Sequence, residues 1–243
     1  MLGGVLGLPD SISLCLFDLD GVLTDTASVH KKAWGQAFDP MLDARGLPAF
    51  TEQDYDDFVD GKPRADGVRD FLASRGITLP EGTPDDPPSA ETVHGVGNRK
   101  NELLLKTIHA DGVRVFEGSR RYLEAARDAG LRRIVVSSSA NTADVLRVTG
   151  LERLVEGRVD GVTITRKNLR GKPAPDSFLE GARMAHIAPA NAVVFEDALA
   201  GVEAGAAGKF GYVVGVNRLD ATHRDALGKH GASVVVDDLG QLL

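Results

Sequence analysis

The stretch Ser13-Leu14-Cys15-Leu16-Phe17-Asp18-Leu19-Asp20-Gly21 decides the fold, because an apolar run passes directly into two carboxylates and a glycine. A run that does not alternate polar with apolar residues reads as a strand covered on both faces of a parallel sheet. The same pattern recurs at Arg133–Ser137, Ala192–Phe195, Tyr212–Val216 and Ser233–Val236. Between these runs lie helical patterns: Arg120–Asp128 closed by Gly130, Asn141–Thr149 closed by Gly150, and Asp176–His186 entered through Pro175. Strand and helix in alternation predict an α/β fold with a doubly wound parallel-sheet, Rossmann-like core. The interval from Gly21 to about Gly118 is too long for one crossover helix. It carries its own helical patterns at Ser28–Phe38, Arg64–Ser74 and Arg99–Ile108, with a Pro-rich loop over 79–91. A mostly helical inserted cap domain is therefore expected at 26–110, leaving 1–25 and 111–243 for the core.

The rest of the composition narrows the class. The chain has 243 residues, 42% hydrophobic and 26% charged, which is ordinary for a globular protein. Its 28 basic and 35 acidic residues give a net charge of −7, which argues against a nucleic-acid footprint while leaving room for a small anionic substrate. The single cysteine, Cys15, lies within an apolar run and has no internal partner for a disulfide. No apolar stretch approaches the ~18 residues of a membrane span, and no positive charge precedes Lys31. These features predict a cytoplasmic protein with no membrane association, a monomer by default.

The chemistry concentrates where the predicted strands end. Asp18 and Asp20 close the first strand, at the sheet edge where open α/β folds bind ligands. Neighbouring carboxylates in unlike environments are driven to unlike protonation, so one can attack while the other moves a proton. Ser137-Ser138-Ser139 follows the second run and offers hydroxyl and backbone donors to a phosphate. Lys172 precedes Pro173 and Pro175 at a helix entrance. Glu196-Asp197 follows the run Ala192–Phe195 and supplies the second acidic pair that a hard divalent cation requires.

In this order, DLDGVLTD, the serine at the second strand end, KPAPD and EDALAGVEAGAAG resemble the haloacid dehalogenase superfamily of phosphotransferases, over residues 18 to 208. The resemblance implies that Asp18 is a nucleophile forming an aspartyl phosphate and that Asp20 is the general acid and base. It implies that Ser138, with Ser139 beside it, and Lys172 hold the transferring phosphoryl group. Magnesium would be bound by Asp18, the carbonyl of Asp20, Asp197 and Glu196, the last directly or through water.

DTASVHKKAW, over residues 25–34, resembles the β-phosphoglucomutase subfamily. The likeness implies that Thr26 is at a hinge, that His30 and Lys100 position Asp20 on closure of the cap, and that Trp34 flanks the sugar. Gly61, Lys62 and Arg64 resemble the cap loop that contacts sugar phosphate, and Arg99-Lys100-Asn101 a second cap segment. Ala140-Asn141 departs from the Ser-Lys pair that sugar mutases carry after the serines. The function so implied is interconversion of β-D-glucose 1-phosphate and glucose 6-phosphate, with the sugar 1,6-bisphosphate as activating intermediate. A sugar-phosphate phosphatase, with water as acceptor, is the alternative.

Overall fold

Valine dominates the short apolar runs, with leucine and phenylalanine in the first, and such side chains suit a pleated surface covered on both faces. In the computed structural model, which describes residues 5–60 and 62–243, they form β1 (Leu14–Phe17), β2 (Arg132–Val136), β4 (Ala192–Glu196), β5 (Tyr212–Val216) and β6 (Val234–Val236). A further strand, β3 (Gly157–Val159), is absent from the sequence expectation. It has a single large apolar residue and lies at the sheet edge, where half of the burial that marks a central strand is missing. All strands pair in parallel in the order β3-β2-β1-β4-β5-β6. The order reverses beside β1, and the carboxyl ends of β1 and β4 flank that switch point.

The pleat divides β1 between two layers. Phe17 stacks on its register partner Phe195 at 4.5 Å, and both meet the edge of Tyr122 from the helix Glu117–Asp128. Leu14 and Leu16 face the other way and pack in one core with Phe178 and Ala182 of the helix Asp176–Ala185. That helix comes so close that a Cβ on Gly181 would stand 2.9 Å from the Leu16 Cδ2 methyl, which would have to shift to make room. With helices on both faces, the sheet is the doubly wound α/β core that the alternating runs predict.

The chain divides into two compact units, one formed by Met1–Asp25 with Val113–Leu243 and the other by Thr26–Gly112. The second unit is built on the helices Ala27–Asp43, Arg64–Ser74 and Val93–Asp111. The first of these runs past Phe38 and through Pro40, beyond the end expected from sequence. Met41 and Leu42 continue its apolar stripe into the core of this unit, and their burial offsets the backbone hydrogen bond that proline cannot make. No helix or strand covers 79–91, yet the segment is well held: Arg69 binds Glu81, and Arg99 donates to the carbonyl of Pro88. Among the described residues no helix is long and apolar enough to cross a membrane.

Candidate active site

Register explains how distant carboxylates meet. Phe17 is level with Phe195, so the next residues, Asp18 and Glu196, are neighbours across adjacent parallel strands, ~4.8 Å apart along the hydrogen-bonding direction. The amide of Asp18 donates to the carbonyl of Phe195, carrying the ladder to this level. By the alternation of the pleat, Asp18 points to the face covered by the helix Asp176–Ala185. The segment leading into that helix brings Lys172 to the same place.

The Lys172 ammonium donates to Asp18 Oδ1 at 2.6 Å and to Glu196 Oε1 at 2.5 Å. Asp18 is 6% exposed, Lys172 5% and Glu196 1%, so the triad lies in a low-dielectric setting. Burial pushes the Asp18 carboxyl well above its ordinary range; Lys172 pulls against that shift, and the charges of Glu196 and Asp20 add to it. Burial also works against the charge on Lys172, but the two carboxylates outweigh it and hold the ammonium above the usual lysine value. The second oxygen of Glu196 accepts from the amide of Ala198 at 2.8 Å, and a Cβ on Gly201 would collide with Glu196 at 1.8 Å.

Gly21, at φ +87°, turns the chain after Asp20. A Cβ there would lie 1.8 Å from Asp197 Oδ2, so glycine is required both by the backbone and by the carboxylate it touches. The Gly21 amide donates to the carbonyl of Thr24 at 2.8 Å, which by peptide planarity turns the Asp20 carbonyl away from Thr24. Ser137, buried at the end of β2, reaches Asp20 Oδ2 at 3.4 Å. It is thus the first serine of the run that touches the acidic pair, whereas the sequence marked the run only as a source of phosphate donors, with Ser138 and Ser139 as the candidates. Ser138 is half-buried beside it, and the Ser139 hydroxyl accepts from the amide of Asn141 at the entrance to the helix Thr142–Val148.

Carboxylate oxygens of Asp18, Glu196 and Asp197 lie within 4.8 Å of one another. Three hard oxygen donors set against one ammonium fit a magnesium ion in charge and in chemistry.

The remaining expected site residues belong to the second unit. Thr26 is fully buried and precedes its first helix. Lys100 Nζ is 3.1 Å from His30 Nδ1 and 4.9 Å above the ring of Trp34, so these three form one group. Trp34 is 4% exposed and stacks on Phe38, which makes it part of the core of this unit as well as a seat for Lys100. Arg64 donates to Asn101 Oδ1 at 2.8 Å, and burial pulls its guanidinium below the ordinary value. Lys62 pairs with Asp70 at 2.6 Å on an exposed face. Gly61 lies outside the described residues. Arg218, which no motif marked, donates to the carbonyl of Gly21.

Comparison with known proteins identifies the family. A family model for haloacid dehalogenase-like hydrolases matches residues 12–209. A β-phosphoglucomutase of Mycobacterium tuberculosis is 57% identical in an alignment covering 98% of this chain and 94% of the relative. The β-phosphoglucomutase of Bacillus subtilis is 29% identical over 82% of each chain. Among solved structures, a β-phosphoglucomutase of Clostridium difficile has a TM-score of 0.77 at 24% identity, covering 96% of this chain and 93% of that one, a likeness of fold.

Proposed function

The chain is an enzyme of the haloacid dehalogenase superfamily, in its β-phosphoglucomutase-like branch, and we propose that it interconverts β-D-glucose 1-phosphate and glucose 6-phosphate through an aspartyl phosphate on Asp18. The observation that carries the mechanism is the buried contact of Lys172 with Asp18 and Glu196 at the switch point of the sheet. An in-line phosphoryl transfer needs a positioned nucleophile and neutralisation of charge spreading over the phosphoryl oxygens. Asp18 supplies the first and Lys172 part of the second.

In the proposed cycle the phosphoryl group on Asp18 passes to the 6-hydroxyl of β-glucose 1-phosphate, whose proton goes to Asp20. The 1,6-bisphosphate then presents its 1-phosphoryl group to Asp18. Asp20 returns the proton to the departing anomeric oxygen, releasing glucose 6-phosphate. Ser138, with Ser139, would donate to the transferring group, and Arg64 with Asn101 would hold the phosphate that stays on the sugar. His30 and Lys100 would orient Asp20. Magnesium, held by Asp18, Glu196, Asp197 and the Asp20 carbonyl, would add positive charge against the phosphoryl oxygens.

The metal assignment predicts that a chelator abolishes turnover and that magnesium restores it. Asp197→Ala should raise the magnesium concentration for half-maximal rate by about tenfold or more, the scale of loss for a disturbed metal site. Full activity in excess chelator contradicts the assignment. Arg64→Ala should lower kcat/KM by about 10- to 100-fold, since a hydrogen bond to a charged group contributes ~1.5–3 kcal/mol. Steady-state kinetics with β-glucose 1-phosphate checks it, and an unchanged KM removes Arg64 from the phosphate grip.

The proposal as a whole is tested by supplying β-glucose 1-phosphate, magnesium and a trace of the 1,6-bisphosphate while following glucose 6-phosphate and inorganic phosphate together. Glucose 6-phosphate in large excess supports the mutase. Stoichiometric inorganic phosphate makes the enzyme a phosphatase.

A further inference from the structure

The peptide that follows Asp20 has no freedom on one side, because the space where a Gly21 side chain would be is filled by the Asp197 carboxylate. What holds it on the other side is Arg218, at the end of the segment that leaves β5. Arg218 Nε donates to the carbonyl of Gly21 at 2.6 Å, and Nη2 donates to the carbonyl of Val22 at 3.3 Å. Nη1 donates to the carbonyl of Asp237 at 2.8 Å, so the planar fork ties the loop after Asp20 to the segment after β6. The guanidinium lies 3.6 Å above the ring of Phe116, which fixes its plane, and the carbonyl of Val22 also accepts from the Ser119 hydroxyl at 2.7 Å.

We propose that Arg218 is a positioning residue for phosphoryl transfer. Its fork clamps the carbonyls of Gly21 and Val22, and so holds Asp20 and the Asp197 carboxylate at the spacing the reaction requires. The inference rests on the phosphoryl-transfer reading of the site but adds a residue that touches neither the nucleophile nor the substrate. Its chemistry demands arginine. A lysine at 218 keeps the charge but presents a point donor that cannot span three carbonyls, and it loses the flat contact with Phe116. A small misplacement of a reacting group costs rate far more than affinity when the substrate's fixed phosphate is held elsewhere.

The test compares the native enzyme with Arg218→Lys and Arg218→Ala, with kcat expressed per folded molecule after a thermal unfolding scan. Arg218→Lys should lower kcat by about 10- to 100-fold while KM for β-glucose 1-phosphate stays within about threefold, the pattern of misplacement rather than lost binding. Methylguanidinium should restore part of the kcat of Arg218→Ala, saturably, and should leave Arg218→Lys unchanged. A kcat for Arg218→Lys within twofold of native overturns the inference. So does a folded Arg218→Ala that loses rate but gains none with methylguanidinium; if that variant does not fold, Arg218→Lys decides alone. A native enzyme that releases inorganic phosphate instead of glucose 6-phosphate overturns the mutase reading only, and the same kcat comparison is then made on phosphate release. A native protein without any phosphoryl transfer overturns both.

Discussion

Asp18→Asn is expected to lower turnover by about 10⁴-fold or more, the scale on which covalent enzymes lose rate with their nucleophile. The amide has nearly the shape of the carboxylate, so the hydrogen bond from the Asp18 amide to Phe195 and the packing at the end of β1 are retained. The chemistry is not retained, because a neutral amide is a poor nucleophile and a weaker ligand for a hard cation. Nor should the fold be lost with the rate, since Glu196 still pairs with Lys172 at 2.5 Å after Asp18 is neutralised. The variant should therefore unfold within a few degrees of the native protein while showing no product above background. Turnover above about one hundredth of native, with contamination excluded, contradicts covalent catalysis at Asp18.

Lys172→Met carries the second large effect, and it moves rate and stability together. Removing one electrostatic donor from a buried site costs about 10²- to 10³-fold in kcat. Methionine fills the volume of the lysine stem, but Asp18 and Glu196 are then adjacent, buried and without the ammonium that each contacts. Breaking a buried pair by removing one partner costs ~3–5 kcal/mol, because the remaining charge is left uncompensated. Thermal unfolding should fall accordingly, and magnesium should recover part of the loss, since the same carboxylates then bind the cation without a competing positive charge. A Lys172→Met protein as stable and as active as the native one would mean that the 2.6 and 2.5 Å contacts have no part in holding the site.

The fold was legible in sequence where burial was two-sided. β1, β4 and β5 have apolar runs of four or five residues and β2 a run of three, Ile134–Val136, each long enough to mark a buried strand. β3 was not legible, because Gly157-Arg158-Val159 has no run at all and owes its pairing to Ile134, Val135 and Val136 across the ladder. The passage of the first helix of the second unit through Pro40 was hidden for a different reason. Proline signals a stop by local chemistry, and only the tertiary burial of Met41 and Leu42 overrides it.

Much of the candidate site could be read because strand ends carry its chemistry in sequence order. Asp18, Asp20 and Glu196-Asp197 each follow an apolar run directly, and Lys172 is flagged by its prolines. What sequence could not supply is register: that Asp18 and Glu196 are level, and that one ammonium reaches both, follows from the pairing of Phe17 with Phe195. Arg218 was missed because a single arginine after a strand carries no local signal, and Ser137, read only as one of three phosphate donors, gave no sign of its contact with Asp20. Each gains meaning only from a contact across more than a hundred residues of chain.

The central claim is that a phosphoryl group on Asp18 is kept for a sugar hydroxyl rather than lost to water. A single-turnover experiment tests it directly: enzyme labelled with radioactive phosphate from the 1,6-bisphosphate is mixed with buffer or with β-glucose 1-phosphate, and the label is followed in protein, sugar and inorganic phosphate. The proposed mutase predicts slow release of label in buffer and fast transfer to sugar when β-glucose 1-phosphate is present. Label that reaches inorganic phosphate equally fast with and without the sugar would contradict it.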